Sequence, residues 1–100
     1  MFADVEIISN NTYKFQLFTY SVPKNLSNKI DIGSLVTVNF RNRKKTAVVV
    51  SIHNKDLKIK NLKPVEKIIS KLNQDQLLFL KHVAVSYYLN IGFLIFNLYK

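Results

Sequence analysis

The sequence has no cysteine, which excludes disulfides and thiolate metal sites and permits a reducing cytoplasm. Its only glycines, Gly33 and Gly92, lie far apart, so no glycine-rich phosphate loop can form. The two histidines, His53 and His82, fall in different predicted elements and in no metal-ligand spacing, so no metal is expected. Acidic residues number six and are scattered, with Asp4 and Glu6 the one close pair in a single element. Little remains from which to assemble a nucleophile or an acid–base pair, so the chain alone is read as a non-enzyme without cofactor.

Positive charge is abundant. Fifteen Lys and Arg against six Asp and Glu give +9, which favours polyanionic partners. Nucleic acid is the first candidate and an anionic membrane surface the second. The N-terminus carries two acids by position 6 and no basic region followed by an apolar core, so it does not read as a secretory signal. Residues 77–99 approach the length of a membrane span, but Lys81, His82, Ser86, Asn90 and Asn97 interrupt them. The predicted localisation is cytoplasmic.

One hundred residues, 48% of them hydrophobic, suit a single domain over 1–100, with strands over about 2–70 and a helical part over about 74–99. β-Branched runs at 2–8, 14–20, 35–40 and 46–53 read as strands, with a weaker one at 63–69. Turn residues lie at 10–12, the loop 23–34 leads into a turn at Gly33, and the basic run 41–45 has hairpin-loop length. The expected fold is mainly β (α+β): a small antiparallel, barrel-like sheet of about five strands with a C-terminal helix. Asn73 and Gln76 have capping-box spacing, so the helix should start there, bury Leu77, Leu80, Ala84, Tyr87, Tyr88 and Ile91, and break or bend at Gly92. The apolar ending "FLIFNLYK" points to the first module, or a fragment, of a longer protein.

Two basic clusters carry the binding features: Arg41, Arg43, Lys44 and Lys45, and then Lys55, Lys58, Lys60 and Lys63. Phe15, Phe18, Tyr20 and Phe40 lie on strands near them in sequence. Cations for phosphates and ring faces for bases are what single-stranded nucleic acid requires. Each part also has a plainer reading, as a solvated hairpin tip or a core aromatic.

Several motifs recur in one order: Phe18 to Pro23 (aromatic-x-Tyr-x-x-Pro), Gly33 to Phe40 (Gly-x-x-Val-x-Val-x-Phe), the valine-rich strand after it, Leu62-Lys63, and Tyr87-Tyr88 before Ile91-Gly92. Over nearly the whole chain this order resembles the N-terminal 3′-end DNA-binding domain of primosomal protein N′, a bacterial replication-restart helicase. The resemblance implies a cytoplasmic module that holds the 3′ end of the nascent leading strand at an abandoned fork. The implied pocket has an aromatic residue at Phe18 and a lysine at Lys63. Thr19 stands where the family has aspartate, and Arg41 where it has glycine. These four residues are the expected DNA contacts, with Phe18 stacking on the terminal base, Thr19 touching its edge, and Lys63 and Arg41 facing phosphate. Arg43, Lys44 and Lys45 are expected on the outer turn, adding affinity. DNA and other primosome proteins are the implied partners, and the ATP-dependent 3′–5′ helicase motor belongs to a parent chain. An SH3-like RNA-binding module and a peripheral membrane or protein-interaction domain remain as alternatives.

Overall fold

The alternation Leu35-Val-Thr-Val-Asn-Phe40 sends every second side chain to one face of a strand. A computed structural model, which describes residues 1–9, 17–54, 62–87 and 91–98, forms that strand at Ser34–Phe40, with Val36 and Val38 buried and Leu35, Thr37 and Asn39 half-buried. It is β3 of five, after β1 (Phe2–Ile7) and β2 (Phe18–Ser21) and before β4 (Arg43–His53) and β5 (Lys67–Lys71). Two helices follow, α1 (Gln74–Tyr87) and α2 (Ile91–Leu98). The sheet has the order β2-β1-β4-β3-β5, and every neighbouring pair is antiparallel.

The sheet is mainly β and curled, as expected, but stays open. In a flat sheet β2 and β3, three strand spacings apart, would be separated by roughly 14 Å. Instead the Phe18 and Phe40 rings touch, with centroids 4.6 Å apart, and the Tyr20 hydroxyl donates to the Asn39 carbonyl at 2.9 Å. The segment before β5 joins the two rims: Ser21 N–H donates to the Lys63 carbonyl, Val65 N–H to the Ser21 carbonyl, and Glu66 N–H to the Thr37 carbonyl. Inside the curl Ala3, Val5, Tyr20, Val36, Val38, Ala47 and Val49 form one core. Outside it, Val48 packs with Leu72, Leu80, Leu94 and Ile95 beneath the helices.

The expected helix start is present. Gln76 N–H donates to Asn73 Oδ1 at 2.8 Å and Asn73 N–H to Gln76 Oε1 at 3.0 Å, a reciprocal capping box. Gly33 has φ 90°, the left-handed turn conformation that favours glycine. The helical part expected over about 74–99 is two helices, and Gly92, expected at the break or bend, lies in the first turn of α2. Its role is close approach: a Cβ there would overlap the Ile7 carbonyl oxygen, and its N–H donates to the Glu6 carboxylate at 2.6 Å. Tyr88 of the expected apolar stripe lies outside the described residues, as do residues 10–16 of the expected first turn and second strand.

The strand expected at 63–69 is shifted to Lys67–Lys71. Pro64 has no N–H for a ladder, and the N–H groups of Val65 and Glu66 are spent on Ser21 and Thr37. The basic run 41–45 is not a loop either. Arg41 and Asn42 have φ 51° and 65°, so β3 and β4 are joined by a two-residue turn of the mirror-image type whose twist matches the strands. Arg43, Lys44 and Lys45 are therefore strand residues, paired with Phe40, Asn39 and Val38.

Candidate nucleic-acid interface

One end of the curl collects most of the expected contact residues. Phe18 opens β2, Phe40 closes β3, and Arg41 begins the turn after it. The rings of Phe18 and Phe40 meet edge to face at 65°, and the Arg41 guanidinium carbon lies 4.9 Å above the Phe40 centroid. Arg41 thus covers one face of Phe40, while Phe18 stays half-buried at the rim. Such a cation–ring pair at an exposed site contributes about 0.5–1 kcal/mol. Lys63 reaches the same end, its ammonium donating to Asn39 Oδ1 at 3.4 Å, beside Phe40. Lys63 is exposed and its backbone carbonyl is tied to β2, so the ammonium stands at the rim between β2 and β3.

Thr19 is placed differently. It pairs with Asp4 across β1 and β2, and both side chains project from the face opposite Phe18 and Tyr20. Its hydroxyl donates to Asp4 Oδ1 at 2.7 Å. A register shift between Asp4 and Val5 sets Ser51 opposite Asp4, and Ser51 Oγ donates to Asp4 Oδ2 at 2.8 Å. His53 Nε2 lies 3.1 Å from the same oxygen, and the His53 and Phe2 rings are neighbours at 5.9 Å. Burial pushes the Asp4 carboxyl up, but the hydrogen bonds from Thr19, Ser51 and His53 outweigh it and hold the group below its ordinary value. The face opposite Phe18 therefore carries a negative charge at neutral pH.

Asp4 escaped the sequence reading because its partners come from two other strands, up to 49 positions away in the chain. Two acids close together on β1 were the one available signal, and they have different uses. Asp4 faces Thr19 and Ser51, whereas Glu6 is buried under α2.

The basic residues of β4 divide by face. Val36↔Ala47, Val38↔Lys45 and Phe40↔Arg43 share the inner face, while Leu35↔Val48, Thr37↔Thr46 and Asn39↔Lys44 share the outer one. Residues 41–46 are all exposed. Lys55, Lys58 and Lys60 of the second basic cluster and Phe15 lie outside the described residues.

Among the described residues no group of three or more His, Cys, Asp or Glu side chains could hold a metal ion, and no helix is long and apolar enough to cross a membrane. A comparison with curated protein sequences returns no match. Aromatic rings at a strand rim, flanked by cations on a strongly basic chain, are the setting of a nucleic-acid contact, and residues 6–98 match the family model of the PriA 3′DNA-binding domain (3′BD), so the chain belongs to that family of DNA-binding modules for 3′ ends.

Proposed function

We propose that the corner formed by Phe18, Phe40, Arg41 and Lys63 receives the 3′-terminal nucleotide of a nascent strand at an abandoned replication fork. The observation that carries this reading is the contact of the Phe18 and Phe40 rings across the open side of the curl, with a cation on each flank. Phe18 offers its ring to the terminal base, because one face of Phe40 is already taken by Arg41. Base–aromatic stacking is worth about 1–3 kcal/mol, enough to fix one nucleotide.

Lys63 and Arg41 stand beside that ring and neutralise the phosphates that lead into it. Thr19 and Asp4 are committed to each other on the face opposite Phe18, so they stand apart from the stacked base. Arg43 and Lys45, on the inner face with Phe40, continue the positive path away from the pocket.

Residues 1–100 act in this reading as one DNA-binding domain of a longer cytoplasmic protein. The domain itself does no chemistry. It seats an ATP-dependent 3′–5′ helicase on the fork, where other primosome proteins meet it.

Fluorescence anisotropy of a labelled single strand tests the residue roles. Phe18→Ala should lower affinity at least tenfold and remove discrimination between a 3′-hydroxyl and a 3′-phosphate end. Lys63→Ala should weaken both ends alike. Undiminished discrimination in Phe18→Ala contradicts the placement of the base on Phe18.

A further inference from the structure

The β3–β4 ribbon extends past both strands that flank it. On one side the β1 ladder ends at Ile7↔Ala47, with a last bond from Ile8 N–H to the Thr46 carbonyl. On the other side the β5 ladder ends at Thr37↔Lys67. Beyond those points, among the described residues, Val38–Phe40 and Arg43–Lys45 are paired as strands only with each other. The two-residue turn holds them as a ribbon, and the exposure of residues 41–46 leaves both faces of its β4 strand open.

The charges on that strand alternate between faces. Arg43 and Lys45 project from the inner face, next to Phe40, and Lys44 projects from the outer face, next to Asn39. A solitary DNA strand running into the Phe18 corner meets only the inner face. Lys44, on the outer face, points away from the Phe18 and Phe40 rings.

The double helix supplies a use for both faces. Its major groove is about 12 Å wide, admits a two-stranded ribbon, and is walled by the phosphates of two different strands. A ribbon entering edge-on occupies about 10 Å from face to face, judged by the spacing of packed sheets. Its faces then meet the two walls. The edge of β4 at Arg43–Lys45, unpaired on the β1 side among the described residues, is the leading edge.

We propose that the β3–β4 ribbon is a duplex-binding arm, which grips the double-stranded DNA behind the 3′ end with Arg43 and Lys45 on the strand that ends in the pocket and Lys44 on its complement. This rests on the reading of the Phe18 corner as a 3′-end site and adds to it a grip on both strands of the duplex behind that end. Lys63, whose ammonium reaches Asn39 beside Phe40, stays with the terminal phosphate.

The test titrates two DNAs with the same labelled 3′-terminal sequence, one single-stranded and one annealed to a longer complement that leaves the 3′ end recessed. The unmodified protein should bind the recessed end more tightly and with a steeper salt dependence. Lys44→Ala should lose about three- to eightfold in affinity for the recessed end at 0.1 M salt, with the salt slope smaller by about 0.9, the value of one duplex phosphate. On the single strand its loss should stay below twofold. Lys45→Ala should lose comparably on both DNAs. Equal affinity of the unmodified protein for the two DNAs, or an equal loss on both in Lys44→Ala, overturns the proposal. Repeating the titrations with a 3′-phosphate separates the two readings: loss of end discrimination with a retained Lys44 effect refutes the Phe18 corner and upholds the arm.

Discussion

Replacing Arg41 probes backbone and binding at once. Arg41 has φ 51°, a region that costs a residue with a Cβ about 1–2 kcal/mol. Glycine removes that cost but gives back about 0.5–1 kcal/mol through the freedom it adds to the unfolded chain. It also loses the stack on Phe40, about 0.5–1 kcal/mol. These contributions cancel to within about 1 kcal/mol, so Arg41→Gly should leave stability nearly unchanged. Alanine loses the same stack and keeps the strain, and should fall about 1 kcal/mol below glycine, or about 4–8 °C in Tm. Thermal melts by circular dichroism of the two variants measure this difference. In DNA titrations both should lower the salt slope by about 0.7, one single-strand phosphate, since both remove the cation. Both also uncover Phe40, so the preference between 3′-hydroxyl and 3′-phosphate ends should shift. Equal Tm values for the glycine and alanine variants would refute the left-handed turn at Arg41, and an unchanged salt slope would refute its contact with phosphate.

Two further predictions concern the seat of α2. Glu6 is only 3% exposed, and its Oε2 has no partner among the described residues. Burial pushes its carboxyl up, against a smaller opposite effect of the Gly92 N–H. The native state then holds the Glu6 proton more tightly than the unfolded chain, so this residue favours folding at low pH, and that contribution is lost as pH rises from about 4.5 through the raised value. Glu6→Gln should flatten this decline, and its urea midpoint should gain on the parent's with increasing pH; a constant difference at every pH contradicts the assignment. Gly92→Ala, a change that in an ordinary helix interior adds stability, should here cost about 1–3 kcal/mol, because the new Cβ overlaps the Ile7 carbonyl. A rise in Tm would show that α2 does not rest on β1 in this way.

What the sequence conveyed and what it hid divide by the distance over which residues act. The Asn73–Gln76 box is complete within four residues, and it marked the start of α1 correctly. The alternation from Leu35 to Phe40 likewise determined which face of β3 is buried. The hairpin was misjudged because its turn is Arg41-Asn42 and lacks the Asn-Gly signature. Four cations in five positions read as a loop although three of them continue a strand. At the site, Phe18, Arg41 and Lys63 were named from motif order, but that Phe18 touches Phe40 depends on curvature summed over four strands. The pairing of Asp4 with Thr19 depends on register, which one residue of slip would invert. Contacts of this range leave no periodic trace in the chain, and they are the ones that shape the corner.

The central claim is that the Phe18 corner reads the end of a DNA strand. The most direct measurement is an anisotropy titration of the unmodified chain at fixed salt, with one oligonucleotide ending in a 3′-hydroxyl and the same oligonucleotide ending in a 3′-phosphate. The phosphate adds up to two negative charges beside Lys63 and Arg41, which by charge alone should tighten binding. A pocket shaped around a free end predicts the opposite: at least a tenfold preference for the 3′-hydroxyl. Equal affinity for the two, or tighter binding of the 3′-phosphate, would contradict the account and reduce the site to a general track for DNA phosphates.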